Sequence, residues 1–369
     1  MRLVRPSRTH FCRTRLTKAV QKIFDGHNDT LLRLWRADDR DGETFLAGNG
    51  EGHIDLPRAK KGGLKGGFFA VFVPGGDARS ALLNSDSGAV MNIPYLGPVD
   101  ASKARRVALE ISAILLRMAR NRPDAIRVCR TAGEIEAADQ AGAIAALLHM
   151  EGAEAIGPDL AELEVLHAAG LRSLGPVWSR PNIFGYGVPF RFPGDPDDGP
   201  GLTDVGKALV EACNELSILV DLSHMNAAGF RDVAAITDKP LVATHSNVHA
   251  LSPAARNLTD WQLDAIAESG GIVGLNYAVG FLREDGRGTS DTALTTMIRQ
   301  LDHMLERLGE NGVALGSDFD GALIPEEIGD VAGLPALIGA MRQAGYDNTL
   351  IDRICWDNWI NLLRRTLSG

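Results

Sequence analysis

Five residues able to bind a metal fall at the ends of short apolar runs: His27 and Asp29, Glu151, His224, and His245. His27 and Asp29 are separated by one residue, so at the end of an extended strand both side chains point into the same space. An H-x-D triplet alone is common by chance. Joined to two further strand-end histidines and a strand-end glutamate, it forms the imidazole-plus-carboxylate set that suits zinc and related divalent cations. Five donors exceed what one tetrahedral zinc with an open position uses, so the expectation is two divalent metal ions, zinc first among them, sharing Glu151 as a bridge. Such a pair, about 3.5–4 Å apart, can hold a hydroxide and polarise a carbonyl, which is hydrolytic chemistry. The stretch Gly316-Ser317-Asp318-Phe319-Asp320-Gly321 adds two carboxylates. Asp318 is read as the shuttle that takes a proton from the hydroxide on attack and returns it to the leaving group. Asp320, just before a glycine, reads as a turn or capping residue. His149 lies two before Glu151 and shares its strand face deeper in the fold, as a hydrogen-bonded support for the site or a core residue.

These residues must be positioned by the elements that end on them. Eight apolar runs rich in β-branched or small residues recur, at 19–27, 64–73, 143–152, 171–178, 217–224, 240–246, 271–277 and 313–320. Segments with helical spacing follow, and this alternation is the pattern of βαβ units and a parallel sheet. One helix is legible in Leu294, Met297, Ile298, Leu301, Met304, Leu305 and Leu308, an apolar stripe at i, i+3, i+4, i+7 spacing. Another opens near Thr203, a good N-cap. Eight strands with crossovers predict an α/β fold, a closed (β/α)8 TIM-like barrel, in which all strand C-terminal ends meet on one face. The competing open, doubly wound sheet would carry a glycine-rich phosphate turn opening a helix after its first strand. The only such stretch, Gly62-Gly63-Leu64-Lys65-Gly66-Gly67, precedes a strand and reads as a turn. Residues 192–201, rich in Pro, Gly and Asp, predict a long loop over one face.

Composition sets the bounds. The 369 residues are 45% hydrophobic, enough for a full core. Their net charge of −9 is spread over mixed-sign sequence, which excludes a nucleic-acid or anionic-membrane footprint for the body of the chain. Residues 1–22 differ, carrying seven basic side chains and no acidic one, and read as a flexible basic arm before a single barrel domain at 23–369. No window approaches the ~18 apolar residues of a membrane span. Cys12, Cys129, Cys213 and Cys355 lie far apart and predict free thiols in a reducing compartment, hence a cytoplasmic location.

From Phe24 to Asp357 the chain resembles the renal, or membrane, dipeptidase family of metal-dependent hydrolases. The resemblance rests on Asp25-Gly26-His27-Asn28-Asp29, Gly52-His53-Ile54-Asp55-Leu56-Pro57, Met150-Glu151-Gly152, Asp221-Leu222-Ser223-His224, His245-Ser246, Arg256-Asn257 and the 316–321 stretch. It implies a small dipeptide-like substrate. It also implies that His27 and Asp29 hold one zinc, His224 and His245 the other, Glu151 both, and that Asp318 handles the proton. By the same resemblance Arg256 contacts the substrate, where its fork of donors suits a free carboxylate. Relatives imply a homodimer. One departure stands out: Trp178 occupies the place of a family histidine that binds substrate, and an indole offers one N–H donor and no charge. Substrate readings that keep the metal chemistry are therefore a cyclic amide, an N-acyl amino acid or a lactam; a catalytically silent metal-binding barrel is the reading from another class. A phosphotriesterase-like site would want a carboxylated lysine at a strand end, and none is offered.

Overall fold

A computed structural model describes residues 20–75, 85–93 and 96–367. Most of the basic arm, with His10 and Cys12, lies outside the described residues. The strands are β1 (Ile23–Asn28), β2 (Leu64–Phe72), β3 (Ile126–Val128), β4 (Ile144–Glu151), β5 (Leu171–Gly175), β6 (Leu219–Val220), β7 (Val242–Ser246), β8 (Ile272–Leu275) and β9 (Val313–Leu315). All pair in parallel, in the orders β1-β2-β4-β5-β6 and β7-β8-β9. Two single bridges join these sheets into a ring, Asp221 to Val242 beside β6 and β7, and Asn28 to Phe319 beside β1 and β9. This is the expected closed barrel. Seven of its eight strands lie within one of the eight apolar runs, and β1 runs one residue past its own, to Asn28. The short β3, not expected, pairs with the start of β4 at Ile126–Ile144 through Val128–Ala146.

Side-chain alternation divides the core in two, as period-2 geometry requires. Phe24, Phe68, Ala145, Leu147, Leu219, Val242, Ile272 and Ala314 cluster inside the barrel with Trp359. Their neighbours Ile23, Phe69, Ala146, Leu148, Ala243, Val273 and Val313 face the outer helices. Trp359, from the helix Asn358–Thr366, plugs the barrel and donates its indole N–H to Leu315 O at 2.9 Å. Along β4 the inner face runs Ala145, Leu147, His149, Glu151, so the same alternation that builds the core delivers a histidine and a glutamate to the C-terminal end. The stripe of the helix Leu294–Leu308 is buried, and Thr203 caps the helix Asp204–Glu215 by accepting the Gly206 N–H at 3.0 Å.

The fifth and eighth runs form shorter strands than expected. Ser217, His224, Asp318 and Asp320 all adopt positive φ (55, 66, 60 and 66°), and left-handed residues leave the strand conformation. These two strands stop early because the chain turns at their functional ends. At the neck of the barrel, a Cβ on Gly26 would lie 2.3 Å from Thr244 O and 2.9 Å from Leu315 O, so only glycine lets β1 approach β7 and β9 just before His27. Asp25 then ties β1 to the end of β9, its carboxylate accepting the Ser317 N–H at 2.7 Å and O–H at 2.8 Å. Cys129, Cys213 and Cys355 are buried free thiols. Among the described residues no helix is long and apolar enough to cross a membrane.

Candidate metal centre

The barrel brings His27, Asp29, Glu151, His224, His245 and Asp318 to one place at the strand C-terminal ends. Glu151 Oε1 lies 3.0 Å from His224 Nε2, 3.3 Å from His245 Nε2 and 3.8 Å from His27 Nε2. His27 Nε2 is 3.5 Å from Asp29 Oδ2, and the His224 and His245 Nε2 atoms stand 3.1 Å apart. Two groups have donor atoms within 4.8 Å of one another: His27, Glu151 and His245, and His27, Asp29 and Asp318.

Hydrogen bonds fix which ring nitrogen faces the centre. Thr244 Oγ1 donates its proton to Asp221 Oδ2 at 2.6 Å, so at 2.8 Å from His245 Nδ1 it can only accept. His245 therefore carries its proton on Nδ1 and presents the Nε2 lone pair. Asp221 is held in turn by the Thr244 and Ser223 N–H groups at 2.8 and 3.0 Å. Ser179 Oγ lies 2.8 Å from His224 Nδ1 and anchors that side of the ring. Burial holds His224 and His245 well below the ordinary histidine range, with the Arg256 and His27 charges adding to it, so both are neutral. For His27 burial pulls down as well, but Glu151, Asp29 and Asp318 outweigh it and raise it to about 10. Burial raises Glu151 and Asp318 above the usual carboxylate range, and the Asp29 charge raises both further.

This arrangement fits divalent cations. Both ring nitrogens of His27 and Asp29 Oδ1 are buried without a hydrogen-bond partner, a costly state that a cation bound at one His27 nitrogen and at Asp29 would relieve in part. The neutral imidazoles of His224 and His245 and the crowded carboxylates are the donor set such ions need. Asp318 accepts a hydrogen bond from Asn276 Nδ2 at 3.0 Å, which fixes its carboxylate beside the cluster.

A cavity of about 290 Å³ opens above the cluster, near the lower end of the roughly 300–1,000 Å³ range of small-molecule sites. Asp29, Glu151, His224 and Asp318 reach it from below, and Phe72, Trp178, Phe190 and Phe281 wall it. Trp178 packs edge-on against Phe72 and Phe190, with ring centres 4.9 and 5.3 Å away. Behind that wall the buried Arg180 stacks on both Phe72 and Trp178 and pairs with Glu154 at 2.7 Å.

Of the other sequence candidates, only Asp320 reaches the cavity. Arg256 is buried, donating from Nη1 to Ser246 Oγ at 2.8 Å and from Nη2 to His245 O at 2.7 Å, and it does not line the cavity; its Nε has no partner. Asp320 reaches the cavity edge but is consumed structurally, accepting from His53 N–H, Arg33 Nε and Thr30 Oγ1. His149 bonds Ser173 Oγ at 2.9 Å and leaves Nε2 unpartnered. His53 accepts the Asp320 N–H and His249 bonds Gly194 O, so neither lines the pocket. Sequence reasoning missed Ser179, Thr244 and Asn276. Asn276, a polar residue at the end of the seventh run, could have been found by the strand-end rule used for the ligands.

A parallel eight-stranded barrel with imidazoles and carboxylates converging at its C-terminal mouth defines a metal-dependent hydrolase of the TIM-barrel class. Comparison with known proteins narrows this. The family model for membrane dipeptidase, peptidase family M19, matches residues 13–368. The chain is 52% identical to the solved structure of a dipeptidase described as a metallo peptidase of family M19, with a TM-score of 0.91 over 95% of this chain and all of that one. It is also 52% identical, with a TM-score of 0.90 over 94% of this chain and all of the other, to a metallo peptidase from Rhodobacter sphaeroides solved with a phosphinate mimic of the dipeptide L-Ala-D-Ala. An uncharacterized Klebsiella pneumoniae protein from the pqqA 5′ region shares 48% identity over 68% of this chain and 93% of its own length. The chain belongs to the membrane dipeptidase family, peptidase family M19, and is a metallo-dipeptidase of that family.

Proposed function

We propose that the protein hydrolyses the peptide bond of dipeptides at a centre of two divalent cations, zinc first among them, held by His27, Asp29, Glu151, His224 and His245. The observation that carries this is the convergence of those five side chains, with the donor atoms of His27 and Asp29 Oδ1 buried and unpartnered, beside Asp318 at the floor of a small cavity. Bound cations there supply Lewis acidity to the scissile carbonyl and lower the pKa of a water. The chain's own residues do the rest. Asp318, steadied by Asn276, takes the proton of the attacking water and returns it to the leaving nitrogen. Thr244 and Ser179 keep the His245 and His224 rings turned toward the cluster. The unpartnered Nε of Arg256 offers a charged donor to the substrate's carboxylate, and Trp178 with Phe72 closes the cavity to bulk water.

The 52%-identical Rhodobacter protein was solved with a mimic of L-Ala-D-Ala, which supports a dipeptide substrate and puts L-D dipeptides in the test. Because Trp178 walls the cavity, N-acyl amino acids, cyclic amides and lactams belong in the same panel. Purified protein should release free amino acids from L-L or L-D dipeptides, lose this activity to a chelator, and contain divalent metal in the same preparation. Failure to cleave any dipeptide in the panel would sink the proposal, and cleavage of the other amides alone would reassign the substrate.

A further inference from the structure

Arg180 is 1% exposed and does not line the cavity. A guanidinium taken out of water is costly unless its donors and its faces are used. Here Nε donates to Glu154 Oε1 and Nη2 to Val73 O, both at 2.7 Å. Its flat group also stacks on two rings, with Cζ 5.3 Å from the centre of Phe72 and 5.2 Å from that of Trp178. These partners stand at the C-terminal ends of three neighbouring strands, β2, β4 and β5. Val73 follows β2 directly, Glu154 lies three residues after Glu151 of β4, and Trp178 lies three residues after the end of β5. One buried cation therefore pins three strand ends together beside the metal centre.

What the pin holds is the segment Trp178-Ser179-Arg180, and what that segment touches is His224. Ser179 Oγ hydrogen-bonds His224 Nδ1 at 2.8 Å, and the Trp178 ring packs on the same imidazole with centres 5.7 Å apart. The Arg180 N–H closes the segment on itself, donating to Trp178 O at 2.7 Å. His224 needs such support more than His245 does. His245 lies within β7, and the hydroxyl beside its ring comes from the adjoining Thr244. His224 lies four residues past the two-residue β6, at positive φ, outside any ladder. Its ring is set from across the barrel, by a loop that the Arg180 guanidinium anchors.

We infer that Arg180 is a positioning residue for the metal centre: tied to Glu154 and Val73, it fixes residues 178–179 so that Ser179 holds the His224 ring with Nε2 toward Glu151. This rests on the reading of His224 as a metal ligand. The chemistry explains why the residue is an arginine. A lysine in its place is a point charge that can meet Glu154, but it cannot also fork to Val73 O and lie flat on two rings. Zinc affinity of the metal-free protein, measured by competition with a chromogenic chelator, tests the assignment on wild type, Arg180→Lys, Ser179→Ala and the double variant. Lysine keeps a cation opposite Glu154, so the fold is retained while the fork and the stacking are lost.

Each single substitution should weaken zinc binding about tenfold, the low end for losing a hydrogen bond that orients a ligand. The double variant should be no weaker than either, because Ser179 has nothing left to contribute once its segment is released. Should Arg180→Lys fail to fold, Arg180→Met combined with Glu154→Gln, which removes both buried charges together, takes its place in the same cycle. Losses that multiply to about a hundredfold in the double variant would mean that the two residues act independently, and would overturn the assignment. Wild-type zinc affinity in either single variant would overturn it too, and a lowered urea midpoint beside that unchanged affinity would mark Arg180 and Glu154 as a purely structural pair. In both cases the metal reading stands. If wild type binds no zinc, the metal reading fails and this assignment fails with it.

Discussion

Thr244→Val tests the reading of the centre where it is most specific. Valine keeps the shape of threonine and removes one hydroxyl, which donates to Asp221 at 2.6 Å and accepts from His245 Nδ1 at 2.8 Å. Both partners are at most 1% exposed, so water does not replace it. A buried polar group left without its partner costs about 1–3 kcal/mol. Asp221 keeps two N–H donors, so its loss lies at the low end, whereas His245 Nδ1 loses its only acceptor. Together these give about 2–4 kcal/mol less stability for the metal-free protein. The second effect concerns the ring's proton. With no acceptor at Nδ1, the proton is free to move to Nε2, which has Glu151 Oε1 at 3.3 Å, and in that tautomer the metal-facing lone pair is gone. Loss of a hydrogen bond that orients a ligand weakens metal binding by about 10–100-fold. Competition with a chromogenic chelator measures that ratio, and urea unfolding of the metal-free protein measures the first effect. Thr244→Ser, which keeps the hydroxyl, should stay near wild type in both. A valine variant that is destabilised yet binds metal with wild-type affinity would refute the tautomer argument.

The barrel was legible because its eight strands are buried on both faces and so read as apolar runs, and because ligand-type residues cluster at strand ends. Strand β3 was not, since Ile126-Arg127-Val128 is too short to show a period. The early ends of the fifth and eighth strands were hidden too: aspartate and histidine tolerate positive φ, but a pattern of apolar residues carries no sign of φ. The hydroxyls that orient the histidines depend on topology. Thr244 adjoins His245, but Ser179 meets His224 only because β5 and β6 are neighbours in the barrel, and serine in a loop is otherwise a neutral signal. Arg256 shows the limit in the other direction. Its place after His245 marked it for a substrate, and the fold spends its two terminal nitrogens on the His245–Ser246 backbone and side chain, leaving only Nε.

Asp318→Asn keeps an oxygen to accept from Asn276 but removes the base, so turnover should fall by about 10²–10⁴-fold while metal content stays unchanged; full activity would exclude Asp318 as the proton carrier. Arg180→Met leaves Glu154 buried and unpaired, with its Oε2 already lacking a partner, and should cost about 3–5 kcal/mol in urea unfolding. Glu154→Gln in that background should recover part of the loss, and no recovery would place the cost elsewhere. His149 gives a pH dependence with a definite sign. Burial holds it down to about 3, while the unfolded chain takes up the proton near 6.5. Its contribution is therefore fully present above about pH 6.5 and is lost, by up to about 1.4 kcal/mol per unit, as pH falls from there toward 3. Unfolding free energies of metal-free wild type and His149→Gln at about pH 7 and about pH 5 isolate this residue from the other histidines. The variant should lose less stability over that interval, and equal losses would mean that His149 is protonated in the folded protein.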